Sequence, residues 1–307
     1  MTAEAAVPPA ATKQAAEPPA SAGGRARRRR LRPGRVALHL SLFALMAIWA
    51  VPAVGLFINS FRPPSAVSSS GWWTALAPPY EFTFSNYSEV LNAQGLGRAF
   101  LNSLIITVPS TIIVIAVAAF AAYAFAWMDF PGKNVIFVVV VGLLVVPLQV
   151  TLVPLLRLFA DLGLAGTFLS VWLAHTGFGL PFAVYLLRNY MGSLPRAVFE
   201  AAAIDGANPA TTFFRLALPM SAPVLAAMAI FQFLWVWNDL LVALVFIGPR
   251  PSNLPLTVTV GNLVNSLGGQ WHLLTAAAFV MMALPVAVFL ALQRYFVRGI
   301  TGGAVKG

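Results

Sequence analysis

The sequence contains no cysteine, and only 9% of its 307 residues are charged. The absence of cysteine excludes a disulfide framework, a thiolate zinc site and cysteine catalysis. Soluble domains carry about 25% charged residues, whereas this chain is 59% hydrophobic and has a mean hydropathy of +0.82. The scarcity of charge therefore excludes an ordinary soluble globular protein and indicates a membrane protein.

Signatures of nucleotide binding and catalysis are also missing. Gly132-Lys133 is followed by Asn134, and Trp127 stands where the first glycine of a phosphate-binding loop would be. No Ser-His-Asp ordering and no metal-spaced cluster of His and Glu stands out. We therefore expect a chain that is not an enzyme and that binds no cofactor or metal of its own.

Long apolar runs are the main feature that is present. Each is close to the roughly 20 residues that a helix needs to cross a bilayer. The predicted spans are 36–58, 100–128, 135–156, 168–190, 222–246 and 273–296. Prolines inside membrane helices are typical of kinks beside a pathway, and they occur here at Pro109, Pro147, Pro154, Pro181, Pro223 and Pro285. The pattern predicts an all-α polytopic membrane protein with six transmembrane helices.

Lys and Arg are distributed unevenly around these spans. With the N-terminus inside, fifteen of the nineteen lie on the cytoplasmic side, eight of them in a disordered basic tail at 1–35. The other side holds Arg62, Arg98, Arg157 and Arg250. The positive-inside rule therefore predicts that both termini are cytoplasmic. Contact with anionic membrane lipid explains the net charge of +10 without nucleic acid.

The polar loop between the fourth and fifth predicted spans, at about 191–220, has the pattern of two short helices. Ser193 is predicted to cap the first helix, with Pro195 in its opening turn. Gly206 supplies the left-handed residue that ends this helix. Asn208 then caps a second helix, which must stop near Pro219. Six spans with both ends inside place this loop in the cytoplasm.

The spacing of this loop resembles the EAA motif of ABC importer permeases. Glu200-Ala201-Ala202 is followed after three residues by Gly206, and after nine more by Leu216-Ala217-Leu218-Pro219. In that family the loop is a coupling helix that docks into a cleft of an ATPase subunit. The resemblance implies a charged contact by Glu200, close approach at the alanines and a turn at Gly206. The complete predicted coupling set is Glu200, Ala201, Ala202, Asp205, Gly206, Leu216, Leu218 and Pro219.

Further segments extend the resemblance over about 36–307. They include Asn102-Ser103, Trp237-Asn238-Asp239 and the stretch from Gln293 to Gly299. This set is similar to the carbohydrate-uptake branch, and to the smaller of two maltose-type permease subunits. It implies a type I ABC importer permease fold and a heterodimer with a second permease. It also implies an ATPase dimer that holds ATP and Mg, and an extracytoplasmic protein that delivers a sugar, glycerol phosphate or a polyol.

Polar residues inside the spans are candidates for the translocation path, because burying them in a membrane is costly. Asp239 is the only acidic residue well inside a span, and Asn238, Trp235, Gln232 and His175 complete the candidate set. The alternative is that Asn238 and Asp239 bind another helix or cap a kinked helix end. His175 has no carboxylate partner in view, which favours an interhelical hydrogen bond.

Two other classes of protein are weighed against an ABC permease. An ion-coupled secondary transporter needs a titratable group near mid-membrane, for which Asp239 is the one candidate. A membrane scaffold would not need the broken helical loop. The long segments at 59–97 and 248–272 carry tryptophans that anchor at the membrane interface or form a platform for an outer partner.

Overall fold

The computed structural model describes residues 33–248, 250–266 and 269–301, and all regular elements within these residues are helical. The predicted basic tail lies outside the described residues, apart from its last three positions. The helices are α1 Pro33–Ser60, α2 Pro64–Ser69, α3 Ser85–Asn92, α4 Leu96–Trp127, α5 Lys133–Gly142, α6 Leu148–Asp161, α7 Phe168–Gly192, α8 Arg196–Ile204, α9 Pro209–Thr212, α10 Leu218–Met220, α11 Ala222–Trp237, α12 Leu241–Ile247, α13 Leu256–Ser266 and α14 Trp271–Thr301.

Four of these helices, α1, α4, α7 and α14, are each long and apolar enough to cross a membrane. Two further segments pass the same test only as bent pairs. Lys133–Val145 and Leu148–Asp161 meet at 105°, and Pro209–Met220 and Ala222–Trp237 meet at 73°. The count rises to six spans when each bent pair is taken as one. The predicted all-α membrane architecture is confirmed in this form.

Two of the predicted spans are not continuous helices. The span predicted at 135–156 ends in a 3-10 turn at Leu143–Val145, and a new helix begins after Pro147. Pro147 disfavours the helical conformation of the residue before it, and Val146 has an extended backbone with ψ 117°. The span predicted at 222–246 is interrupted between α11 and α12 by residues 238–240. Hydropathy alone could not reveal the first break, because the apolar composition continues across it, whereas the second coincides with the polar pair Asn238 and Asp239.

The described residues up to Ala50 belong to one compact unit, and those from Val51 onward belong to another. The described part of the first unit is helical, and its large apolar side chains are exposed, including Phe43 at 63% and Trp49 at 79%. A helix that is apolar on its outer surface is suited to contact with lipid.

The core of the second unit is built on α4 and α7, which run parallel. Near the start of both helices, Trp172 Nε1 donates a hydrogen bond to the carbonyl oxygen of Ile105 at 2.9 Å. Near their ends, Trp127 Nε1 donates to the carbonyl oxygen of Met191 at 3.0 Å. Buried alanines such as Ala118, Ala122 and Ala183 line this core. Such small side chains allow the two backbones to approach closely.

The helix α11 runs antiparallel to this pair. Its beginning packs with the ends of α4 and α7, where Val224 and Met228 share a buried cluster with Val114 and Leu187. Its end packs with their beginnings, where Val236 is buried in a cluster with Ile106 and Val171. The three helices therefore form a bundle with one apolar cluster toward each end.

The prolines do not all break the helices. Pro109, Pro154, Pro181 and Pro285 lie inside continuous helices, and Pro223 occupies the first turn of α11. A proline in the first turn loses no helical hydrogen bond, because its missing N–H had no partner there. Of the six prolines predicted to mark kinks, Pro147 stands alone at a complete interruption of a span.

Candidate functional site

The loop between α7 and α11 contains α8, α9, a π-helical turn at Phe213–Ala217 and α10. Gly206 has a φ of +79° and follows the end of α8, as predicted. Asn208 Oδ1 accepts a hydrogen bond of 2.8 Å from the Thr211 backbone N–H, which confirms its role as the cap of α9. The helical stretch continues through Pro219 to Met220, close to the predicted stop.

The prediction for Ser193 is wrong. Its hydroxyl donates a hydrogen bond of 2.7 Å to the carbonyl oxygen of Tyr190, and the residue forms the C-terminal cap of α7. The first residue of α8 is Arg196, and no side chain caps that helix. Two helix ends lie within four residues here, so one serine had two possible positions and the sequence did not distinguish them.

Aromatic contacts attach the loop to the end of α4. Phe199 of α8 is buried and stacks on Trp127, with ring centroids 3.7 Å apart and planes 13° from parallel. Phe213 of the π-helical turn is buried and stacks on Phe120 at 4.7 Å, and its ring lies 5.2 Å from that of Tyr123. Each aromatic pair stabilises by about 0.5–1.5 kcal/mol beyond the burial of its area. The loop is therefore held to the bundle at both of its helical segments.

The outer surface of α8 carries the residues predicted to couple to a partner. Glu200, Ala201 and Asp205 are exposed, and Ala202 is partly buried. Ile204, beside the three alanines, is 87% exposed. Farther along the loop, Leu216 and Leu218 are partly buried and Pro219 is exposed. This end of α8 therefore offers small side chains and one large apolar side chain to an approaching surface.

A polar layer separates the two apolar clusters of the three-helix bundle. On α4 the polar layer lies between Ile106 and Val114. On α7 it lies between Ala174 and Ala183, and on α11 between Met228 and Val236. Its buried members are Thr107, Ser110, Thr111, His175, Thr176 and Gln232. Lys and Arg are absent from the described residues of this layer. The bundle thus has a neutral polar band at mid-height.

Most of these buried polar atoms have no hydrogen-bond partner among the described residues. The unpartnered atoms are the hydroxyls of Thr107, Ser110 and Thr111, both ring nitrogens of His175 and both amide heteroatoms of Gln232. An unsatisfied buried polar group costs about 1–3 kcal/mol. So many in one layer is unusual for a folded protein and marks this part of the bundle as a functional candidate.

His175 and Asp239 are brought together across the bundle. His175 Nε2 lies 3.7 Å from Asp239 Oδ2, and the histidine side chain is fully buried. Asp239 is thus a carboxylate neighbour that the sequence did not reveal, but 3.7 Å is too long for a hydrogen bond. The interhelical hydrogen bond predicted for His175 is wrong, because neither ring nitrogen has a hydrogen-bond partner among the described residues. The Asp239 carboxylate also accepts hydrogen bonds from the backbone N–H groups of Val242 and Ala243, so it caps α12. This cap agrees with the alternative left open for Asp239.

The other predicted path residues occupy different places. Gln232 is fully buried against α7, where a Cβ added to Gly179 would lie 2.8 Å from both amide heteroatoms. Asn238 is exposed, and its amide donates 2.8 Å to the carbonyl oxygen of Leu234 at the end of α11. Trp235 is half-buried, and the ring of His175 meets its ring edge-on at 5.3 Å. The structure unites His175, Trp235 and Asp239 and leaves Asn238 outside the bundle.

Sequence reasoning missed the hydroxyls of α4. Thr107, Ser110 and Thr111 have the spacing i, i+3 and i+4, which places them on one helical face. That period in an apolar span was the signal that could have revealed them. Gly179 was missed as well; a side chain there would have to displace the amide end of the buried Gln232.

Comparison with known proteins places the chain in a family. Residues 100–302 match the family described as "Binding-protein-dependent transport system inner membrane component". The chain is 56% identical over 275 residues to the osmoprotective compounds uptake permease protein GgtD of Synechocystis sp.. This alignment covers 89% of this chain and 92% of that protein. The chain is 42% identical to the alpha-glucoside transport system permease protein AglG of Rhizobium meliloti, with 88% and 97% covered.

A solved structure shows the same fold at low sequence identity. A chain of a bacterial ABC transporter involved in the import of the acidic polysaccharide alginate superposes with a TM-score of 0.62 at 14% identity. The match covers 86% of this chain and 96% of that chain. The family match spans more than half of the sequence and agrees with the helical membrane architecture. The chain therefore belongs to the binding-protein-dependent transport system inner membrane components, the permease subunits of ABC importers.

Proposed function

We propose that this permease subunit forms half of the translocation pathway for a carbohydrate or a related polyhydroxylated solute. The observation that carries the proposal is the 56% identity, over most of both chains, to a permease for osmoprotective compounds. A second relative, 42% identical, has a name that refers to alpha-glucosides. Alpha-glucosides are neutral and carry many hydroxyl groups, and we propose a solute of this chemical class.

The polar layer supports a neutral solute. Its side chains are hydroxyls, an amide and one imidazole, which exchange hydrogen bonds with sugar hydroxyls. An anion such as glycerol phosphate would need a cationic group or helix N-termini, and α4, α7 and α11 carry Arg only near their ends, at Arg98 and Arg188. We therefore favour an uncharged sugar or polyol over a phosphorylated solute.

The loop containing α8 is proposed to face the cytoplasm and to dock on an ATPase subunit. Its exposed residues Glu200, Ala201 and Ile204 would form the contact, while ATP and Mg are bound by the ATPase dimer. The stacks of Phe199 on Trp127 and Phe213 on Phe120 hold this segment to the bundle. Movement of the docked ATPase would therefore displace the loop and the end of α4 together as a rigid body.

The remaining partners follow from the same assignment. A second permease subunit would complete the pathway as a heterodimer, and an extracytoplasmic binding protein would deliver the solute to the outer segments. The helix α5 has no buried residues, and its apolar side chains such as Val135 at 68% and Val138 at 67% are exposed. Membrane lipid and the second permease together would cover such surfaces.

The experiment is uptake of a radiolabelled alpha-glucoside by cells that express the complete transporter. We expect uptake that requires the binding protein and the ATPase, and that stops when cellular ATP is depleted while the proton gradient is maintained. Uptake that survives ATP depletion would contradict the ABC mechanism. ATP-dependent uptake of a phosphorylated solute, with no uptake of sugars or polyols, would contradict the proposed solute class.

A further inference from the structure

One tryptophan of the three-helix bundle differs from the other three in its hydrogen bonding. Trp127, Trp172 and Trp237 each donate their indole N–H to a backbone carbonyl of another helix, at 2.9–3.1 Å. Trp235 donates to no atom among the described residues, although it lies within α11 beside the polar layer. A buried indole N–H usually finds a partner, so Trp235 is the exception, and its N–H is available to a ligand.

Trp235 lines a cavity of about 330 Å³ at the bend between α5 and α6. The other walls come from Val146 and Thr151 beside the bend and from Gly177, Phe178 and Pro181 of α7. Small-molecule sites are clefts of about 300–1,000 Å³, mostly apolar and with a few convergent polar groups. This cavity has that character, and the 105° bend of the third span creates it.

The cavity also contains a hydrogen-bond acceptor without its regular donor. Pro181 lies inside α7 and has no N–H, so it cannot donate to the carbonyl oxygen of Gly177 four residues earlier. Both residues line the cavity. A Cβ added to Gly177 would meet no heavy atom within 4 Å, so the space beside this residue is open.

We propose that this cavity binds a sugar ring of the transported solute. The rings of Trp235 and Phe178 offer apolar faces to the C–H face of the sugar. The Trp235 indole N–H donates to one sugar hydroxyl, and another hydroxyl donates to the Gly177 carbonyl oxygen. The Thr151 hydroxyl, which itself donates to the Leu148 carbonyl oxygen at 2.7 Å, accepts a third hydrogen bond. The proposal rests on the proposed function and names the residues that contact its solute.

A lipid chain is a poorer occupant of the same cavity. It would fill the apolar walls but would leave the indole N–H and the Gly177 carbonyl without partners inside the membrane, which is unfavourable. A polyhydroxylated ring satisfies both groups and still covers the aromatic faces.

His175 acts here as a positioning residue. Its ring meets the Trp235 ring edge-on, with 84° between the planes, and its Nε2 lies near Asp239. This edge-on contact restricts the orientation of the Trp235 ring. The fully buried histidine itself does not reach the solute.

The test compares Trp235→Phe with the matched control Trp172→Phe in the complete transporter. Both changes remove one indole N–H and keep an aromatic ring. At saturating solute-loaded binding protein, we expect Trp235→Phe to lower the rate of glucoside transport about threefold to tenfold, the effect of one hydrogen bond. A deoxy analogue that lacks the bonded hydroxyl is then transported at the same rate by wild type and Trp235→Phe.

A second pair of variants tests the cavity without touching the tryptophan. Gly177→Leu fills it, whereas Gly142→Leu adds the same side chain at an exposed glycine of α5 that also has open space around it. We expect the first to lower transport more than tenfold with normal yield of the assembled complex, and the second to have little effect.

The outcomes separate this proposal from the function on which it rests. If wild type transports the glucoside and Trp235→Phe and Gly177→Leu both match their controls, the cavity assignment is overturned while the function stands. If wild type transports no sugar or polyol, the proposed solute class itself fails. A reduced rate for Trp235→Phe that is equal for the glucoside and every deoxy analogue also overturns the assigned hydrogen bond.

Discussion

Two bends interrupt the spanning helices, and they are built in opposite ways. At the first, the segment Pro209–Met220 meets α11 at 73°, and Phe213 within this segment packs onto α4. At the second, α5 meets α6 at 105°, but α5 has no buried residue and only Leu152 and Phe159 are buried in α6. Packing holds the first bend, whereas the local backbone of Pro147 produces the second.

This difference matches two mechanical roles. A bend clamped by stacked rings moves as one piece with the helix it touches, which suits a segment that passes on the movement of a partner. A bend with little packing around it leaves open space, which suits a segment that lines a cavity. A broken helix is therefore suited to transmitting movement at the bend before α11 and to lining a cavity at the bend between α5 and α6.

The largest expected effect is a difference in which of the two bends meets water. The chain has no cysteine, so Ala203→Cys and Val145→Cys each introduce a single thiol at an exposed position, one in α8 of the loop before the first bend and one at the second bend. We expect a membrane-impermeant maleimide to label Ala203→Cys only after the cells are permeabilised. Val145 is 83% exposed in this chain. We expect lipid to cover it in the membrane, so Val145→Cys should stay unlabelled until the protein is unfolded.

A control thiol at Ser68, an exposed residue of the segment before α3, should react in intact cells. Labelling of Ala203→Cys in intact cells would place the loop outside and would end the proposed contact with an ATPase.

The next largest effect is expected at Gly206, the turn between α8 and α9. Gly206 has φ +79°, and a Cβ there would meet no atom within 4 Å, so only backbone strain opposes a side chain. A β-branched residue resists that conformation, whereas asparagine tolerates it. We expect Gly206→Val to lower ATP-dependent uptake more than tenfold, at about 2 kcal/mol of strain, while membrane insertion is unchanged.

Gly206→Asn is the matched control and should keep most of the uptake, because asparagine adopts the left-handed conformation at lower cost. Equal uptake by the valine and asparagine variants would show that the turn at Gly206 has no role in coupling.

How far the sequence alone could predict these two segments depends on the range of the interactions. Gly206 and Asn208 act through neighbours within a few residues, and both predictions were correct. The free N–H of Trp235 could not be predicted, because Trp237, two residues away, is paired with the Met281 carbonyl 44 positions along the chain. Similarly, the meeting of His175 with Asp239 depends on how α7 and α11 pack. The sequence therefore predicts features that depend on neighbouring residues, but it does not predict contacts between residues that are distant along the chain.

The smallest expected effect compares the prolines of the two bends. Pro147→Ala restores a backbone N–H and removes the restriction on Val146, so it should let the third span straighten and reduce the cavity at the bend. Pro219→Ala makes the same change in Pro209–Met220, where the stack of Phe213 on Phe120 still fixes this segment to α4. We expect Pro147→Ala to lower solute transport about threefold and Pro219→Ala to change it less than twofold, each measured as uptake per assembled complex. A larger loss for Pro219→Ala than for Pro147→Ala would reverse the assignment, because it would mean that the proline, and not the aromatic packing, maintains the coupling segment.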